Sequence, residues 1–137
     1  MQMSKEELQS LMSDTAHNAV LTTREEFGIE LDHSPQSIAL VDVVILKWLE
    51  KYQESALTND MVFTICNLYG AYIGEIFRQL VGGHWHYDQS NPEAPYIVLA
   101  YAGHTYAFAG ICYQRLVNDS QISVKSYFDQ AVSNNVQ

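Results

Sequence analysis

The segment MVFTICNLYGAYIGEIFRQLV, from Met61 to Val81, limits the folds open to this chain more than any other. Its apolar positions, among them Val62, Phe63, Cys66, Tyr69, Ile73, Ile76, Phe77 and Leu80, recur at helical spacing and cover far more than a narrow stripe. A helix that is apolar nearly all round is either enclosed by other elements or placed in a membrane. Glu75, Arg78 and Gln79 make the bilayer costly, so the segment reads as the central helix of a packed core. Thr58 or Asn59 is positioned to cap its start, and Gly82-Gly83 supplies the left-handed residue that closes many helices.

The hydrophobic period changes directly after those glycines. In HWHYD, His84, His86 and Asp88 share one face while Trp85 and Tyr87 share the other, which is the pattern of a half-buried strand. QSNPEAP follows as a turn-rich loop, and YIVLAYA, from Tyr96 to Ala102, is apolar on both faces and predicts a buried strand. Gly103 allows a turn. HTYAFAGICYQRLVND reads two ways: its first half suits a third strand, whereas Phe108, Ile111, Cys112 and Leu116 predict a helix from about Ala107 to Val117.

Upstream, Ser4 and Glu7 have capping-box spacing, and apolar residues at helical intervals predict a first helix from about Lys5 to Glu26, interrupted by Gly28. Ser34 as N-cap and Pro35 at the first helical position open a second helix, to about Glu54, with Ile38, Val41, Ile45, Trp48, Leu49 and Tyr52 on one stripe. Lys47, Glu50, Lys51 and Glu54 hold much of its other side. A last helix runs from about Ser123 to Val132. No repeat or linker divides the 137 residues, so one domain is expected. The expected class is α+β and mainly helical: three N-terminal helices, a small antiparallel sheet and two short C-terminal helices. Trp85, Tyr87, Ile97, Leu99 and Tyr101 are expected to pack on the central helix, because a small hairpin is marginal alone.

Hydrophobic residues make up 47% of the chain, with nine Tyr and five Phe, enough for a packed core. Seven Lys and Arg against sixteen Asp and Glu give a formal net charge of -9, which disfavours nucleic acid and anionic membrane surfaces as partners. The N-terminus lacks the basic-then-apolar layout of a secretory signal, and Cys66 and Cys112 read as buried free thiols. A cytoplasmic location is the expectation.

Candidate chemistry centres on the long helix. Gly70 and Gly74, four apart, let another element approach its backbone. Tyr72, Glu75 and Arg78 step by three, either as an ion pair and a tyrosine that brace the connector before the second helix, or as a general base and an anion clamp. With Trp85 they are candidate binding residues, and the enzymatic or small-ligand reading expects a pocket where GEIFR meets HWHYD, with Glu75 strongly perturbed. His84 and His86 share a strand face, yet a metal needs a third ligand such as His104 or Asp88, so no metal site is expected. There is no G-x-S-x-G elbow and no phosphate-binding loop, and neither catalytic residues nor a cofactor are assigned.

ELDHSPQSIALVD and YGAYIGEIFRQLVGGHW, with the apolar strand and helix that follow, resemble a group of small uncharacterised bacterial domains. Those domains show a Leu-Asp-x-Ser-x-x-Ser helix start, a helix reading Gly-Ala-Tyr-x-Gly-Glu and a Gly-Gly-x-Trp turn. The resemblance covers Phe27 to Val132 and takes in Asp32, Ser37, Asp42, Tyr72, Glu75 and Trp85; it brings no activity with it. It adds Asp42 as a candidate binding residue, expected to face Arg78 or Tyr72 across a helix pair. From charge, missing motifs and abundant tyrosine, the expected function is a non-enzymatic protein-interaction module, binding another protein or a second copy of itself. The alternatives are the small-ligand or enzyme reading above and a bacterial immunity or anti-defence protein.

Overall fold

A computed structural model describes residues 4–53, 58–88 and 96–134. Helix α1 spans Lys5–Phe27 and opens with a reciprocal capping box, Glu7 N donating to Ser4 Oγ at 3.1 Å and Ser4 N to Glu7 Oε1 at 3.2 Å. Gly28 ends it at φ 66°, in the left-handed region that favours glycine. Pro35–Ser37 forms a 3-10 turn with Ser34 as its N-cap, and α2 follows directly over Ile38–Gln53. The second helix thus starts where Ser34-Pro35 placed it, but its first turn is tighter than an α-turn. Glu54 and the side chain of Tyr52 lie outside the described residues, as does the loop expected between the first two strands.

Helix α3 spans Asn59–Leu80 and is capped by Thr58, whose hydroxyl accepts from Met61 N at 3.2 Å. Strands β1 (His84–Asp88), β2 (Tyr96–Tyr101) and β3 (His104–Tyr106) form an antiparallel sheet in the order β1-β2-β3. Tyr101 pairs with His104, so Ala102 and Gly103, at φ 54° and 81°, make a two-residue hairpin of the kind that matches strand twist. Both readings of the ambiguous segment hold in succession: β3 comes first, then α4 over Phe108–Tyr113, which widens into a π-helical turn over Gln114–Asn118. Helix α5 covers Val124–Ser133 with Ser123 as N-cap. The architecture is α+β and mainly helical.

Helix α3 is the centre. Helix α1 and α4 pack against it, and α2 packs against α5. Tyr69 of α3 joins three helices with its buried hydroxyl, 2.7 Å from Thr23 Oγ1 and accepting from Trp48 Nε1 at 3.1 Å. Thr23 already donates to Ala19 O at 2.7 Å, which leaves Tyr69 as the donor between the two hydroxyls. Contact with α4 is close at Gly70, where a Cβ would lie 2.6 Å from Ala109 Cα. Three expectations fail at the margins of this core: Phe63 and Leu80 are 55% and 49% exposed, and Tyr87 is 38% exposed where it was expected to pack on α3. Leu80 is the last residue of α3, and Phe63 lies on the outward side of a turn whose Val62, Ile65 and Cys66 are buried. Phe63 instead stacks on Tyr113, with ring centroids 5.5 Å apart.

Candidate functional site

Glu75 sits where α1, α3 and β1 meet, and it is 8% exposed. Gln9 and Ser13, one turn apart on α1, reach its Oε1 from Nε2 at 3.1 Å and from Oγ at 2.6 Å. Its Oε2 accepts from Arg78 Nη1 at 3.0 Å, from Trp85 Nε1 at 3.0 Å, and from Gln9 Nε2 at 3.4 Å. Trp85 reaches that oxygen because Gly74 clears its path: a Cβ at Gly74 would lie 2.0 Å from Trp85 Cη2. A carboxylate offers about four acceptor positions, and all are taken. Burial pushes the Glu75 carboxyl up, but the hydrogen bonds from Ser13 and Trp85, the Arg78 guanidinium and the Gln9 amide together hold it below its ordinary value. That is a poor general base, since such a group needs a free lone pair and a pKa close to the working pH.

Tyr72 and Asp42 belong to other contacts. The Tyr72 hydroxyl accepts from His33 N at 2.9 Å and lies 2.5 Å from Ser37 Oγ, so it fixes the connector into α2. Asp42 does not face Arg78 or Tyr72. It points from α2 to the start of α5, where Oδ1 accepts from Val124 N at 2.7 Å and Oδ2 from Ser123 Oγ at 2.9 Å and Lys125 N at 3.1 Å. Arg115 Nε lies 3.3 Å from the same carboxylate and donates to Asp42 O at 3.1 Å. Helix N-termini favour an anion, and this one is served by a side chain from a different helix. The structure therefore brings Glu75, Arg78 and Trp85 together and separates Tyr72 and Asp42 from them.

Gln9, Ser13 and Arg115 were not among the candidates. The signal for Arg115 was a single cation inside the apolar run ICYQRLV; for Gln9 and Ser13 it was two polar residues interleaved with the buried Leu8 and Met12. Among the described residues Arg78 Nε is buried without a hydrogen-bond partner.

The sheet carries an open concavity of about 610 Å3, lined among others by Gly83, His84, His86, Tyr101, His104 and Thr105. Since Trp85, Leu99 and Tyr106 lie side by side in the register and are buried, His84, His86 and Thr105 occupy the opposite face. The concavity is thus across the strand from Glu75, Arg78 and Trp85, and none of the five candidate residues lines it. Among the described residues no three His, Cys, Asp or Glu side chains converge to hold a metal ion, and no helix is long and apolar enough to cross a membrane.

The outer surface of α2 differs from the expected polar face. Leu40, Val43 and Leu46, at successive spacings of three, are 39%, 45% and 36% exposed. Ala39 is exposed among them, and Lys47 and Glu50 stand at the C-terminal end of the same surface. Val41, Val44 and Ile45 meanwhile face the core, so α2 is apolar on both sides.

Comparison with protein-family models, with curated proteins and with solved structures finds no match to the chain.

Proposed function

We propose that this chain is a non-enzymatic protein-interaction module, small, acidic and cytoplasmic, that binds through the outer face of α2. The observation that carries this reading is the exposed row Leu40, Val43 and Leu46, aliphatic side chains outside the core cluster. Exposed apolar residues in a contiguous row mark interaction sites more often than isolated ones do. The abundance of tyrosine supports the reading less than composition implied, because Tyr69, Tyr72 and Tyr106 serve the core. The small-ligand or enzyme reading of Tyr72, Glu75, Arg78 and Trp85 draws no support from a carboxylate whose acceptor positions are all occupied.

Affinity capture with the wild-type chain and with the double variant Leu40→Glu/Leu46→Glu tests the reading. Both should show the same circular dichroism, since Leu40 and Leu46 lie outside the buried core. The wild type should retain a defined partner, or a second copy, that the variant loses. Equal recovery by both proteins, across low and high salt, would remove the proposal.

A further inference from the structure

Resting on the reading of outer α2 as the binding face, we propose that its occupant is a second copy of this chain, with the two α2 helices antiparallel about a two-fold axis at Val43. In such an isologous contact each residue meets the one at equal distance on the other side of the axis. Val43 then meets Val43 of the second copy, and Leu40 meets Leu46. Ala39 meets Lys47, whose aliphatic stem lies over the small side chain while its ammonium reaches the rim. Gln36 meets Glu50, an amide donor against a carboxylate. All of these positions are exposed in the single chain, and the seam spans about four turns, roughly 21 Å.

Charge selects this face and this occupant. The chain carries -9 overall, so two copies repel through most of their surfaces. The outward face of α1 illustrates the obstacle: Leu11 and Leu21 are 42% and 38% exposed there, but Glu7, Asp14 and Glu25 lie among them, and Arg24, the one cation beside Leu21, is paired with Glu30. Outer α2 has one Lys and one Glu around its aliphatic row and is neutral. A strongly cationic partner finds nothing to complement on it, whereas a second copy finds apolar surface of its own kind.

A seam of one helix per copy falls short of the roughly 800 Å2 per partner of a standard stable interface, so the dimer should be weak and dependent on concentration. Added salt should strengthen it by screening the repulsion between the two acidic bodies, the opposite of its effect on a contact held by unlike charges.

Sedimentation velocity of the full chain from about 5 to 500 µM, a range chosen to bracket micromolar affinity, at about 50 and 500 mM NaCl, reads these expectations directly. The wild type should move from monomer toward dimer, more so at high salt. Val43→Glu should weaken association at least about tenfold by placing like charges on the axis, and Leu21→Glu on α1 should behave as wild type. In a second readout, Val43→Cys treated with a low-molecular-weight disulfide should give a covalent dimer, and Leu21→Cys should not; the native thiols Cys66 and Cys112 are buried. A monomer under all conditions, or a dimer indifferent to Val43→Glu, overturns the inference. If the wild type is monomeric but the α2 variants still lose a captured protein of another kind, self-pairing fails and the interaction reading stands; if capture is also unchanged, both fail.

Discussion

Glu75 accepts from two helices and a strand at once, so its charge is a structural requirement. Replacing it by Gln puts an amide donor against at least one of the donors Ser13, Arg78 and Trp85. The expected cost is about 2–4 kcal/mol, in the range for breaking one partner of a buried charged network, measured as a lower urea midpoint at an unchanged slope. The sign of the pH dependence follows from the depressed carboxyl. A group with a lowered folded-state pKa contributes stability that is fully present above the ordinary value, 4.5 for Glu75, and is lost as pH falls through the lower folded value. The wild type should therefore lose stability on acidification below that point more steeply than Glu75→Gln; parallel acid limbs in the two proteins would refute this. The row Tyr72-Glu75-Arg78 was legible as a row, and bracing of the connector was one of its readings. Its division was hidden, because each step of three turns a side chain back by about 60°, so Tyr72 and Arg78 point about 120° apart. The donors Gln9 and Ser13, at 66 and 62 residues' separation, leave no local trace.

The helices and strands were read from capping residues and changes of period, signals that lie within a few residues of the features they specify. Ser4, Ser34, Thr58 and Ser123 all occupy N-cap positions, and β1 begins directly after the glycine pair. The π-helical turn after Tyr113 and the use of Asp42 at the start of α5 depend on contacts between distant segments, and no periodicity reports those. Asp42 adds to the ordinary cap of α5, in which Ser123 Oγ accepts from Ser126 N at 3.1 Å, by accepting from Val124 N and Lys125 N. Asp42→Ala should leave α1 and α3 folded but loosen α5, at about 2–4 kcal/mol for an N-terminal anion together with the buried pairing to Arg115. Limited proteolysis should then cut first between Asp119 and Ser123 in the variant. Proteolysis at the same sites and rate as wild type would show that α5 is held by its apolar face alone.

For the molecule as a whole, net charge was legible and its distribution was not. Among the described residues, Arg24, Lys51, Arg78, Arg115 and Lys125 are engaged in ion pairs, and with seven Lys and Arg against sixteen Asp and Glu the excess is acidic. Exposed ion pairs contribute little, whereas mutual repulsion among the remaining carboxylates acts over the Debye length. Raising NaCl from about 10 to 150 mM shortens that length from about 30 to 8 Å. The melting temperature should rise by a few degrees, and a fall would mean that the ion pairs outweigh the repulsion. The outer row on α2 escaped the sequence because one apolar stripe already explained the helix; Leu40, Val43 and Leu46 belong to a second one that only burial can separate from the first.

The bond from Val124 N to Asp42 crosses 82 residues of chain. At about 5–20 residues per second, synthesis leaves Asp42 waiting roughly 4–16 s for its partner. For that interval a ribosome-bound chain has α2 made but the seat of α5 empty, with aliphatic residues on both sides of one helix open to the cell. Synthesis of α5 then closes the inner side, and a chaperone that attends this nascent chain has that window in which to act.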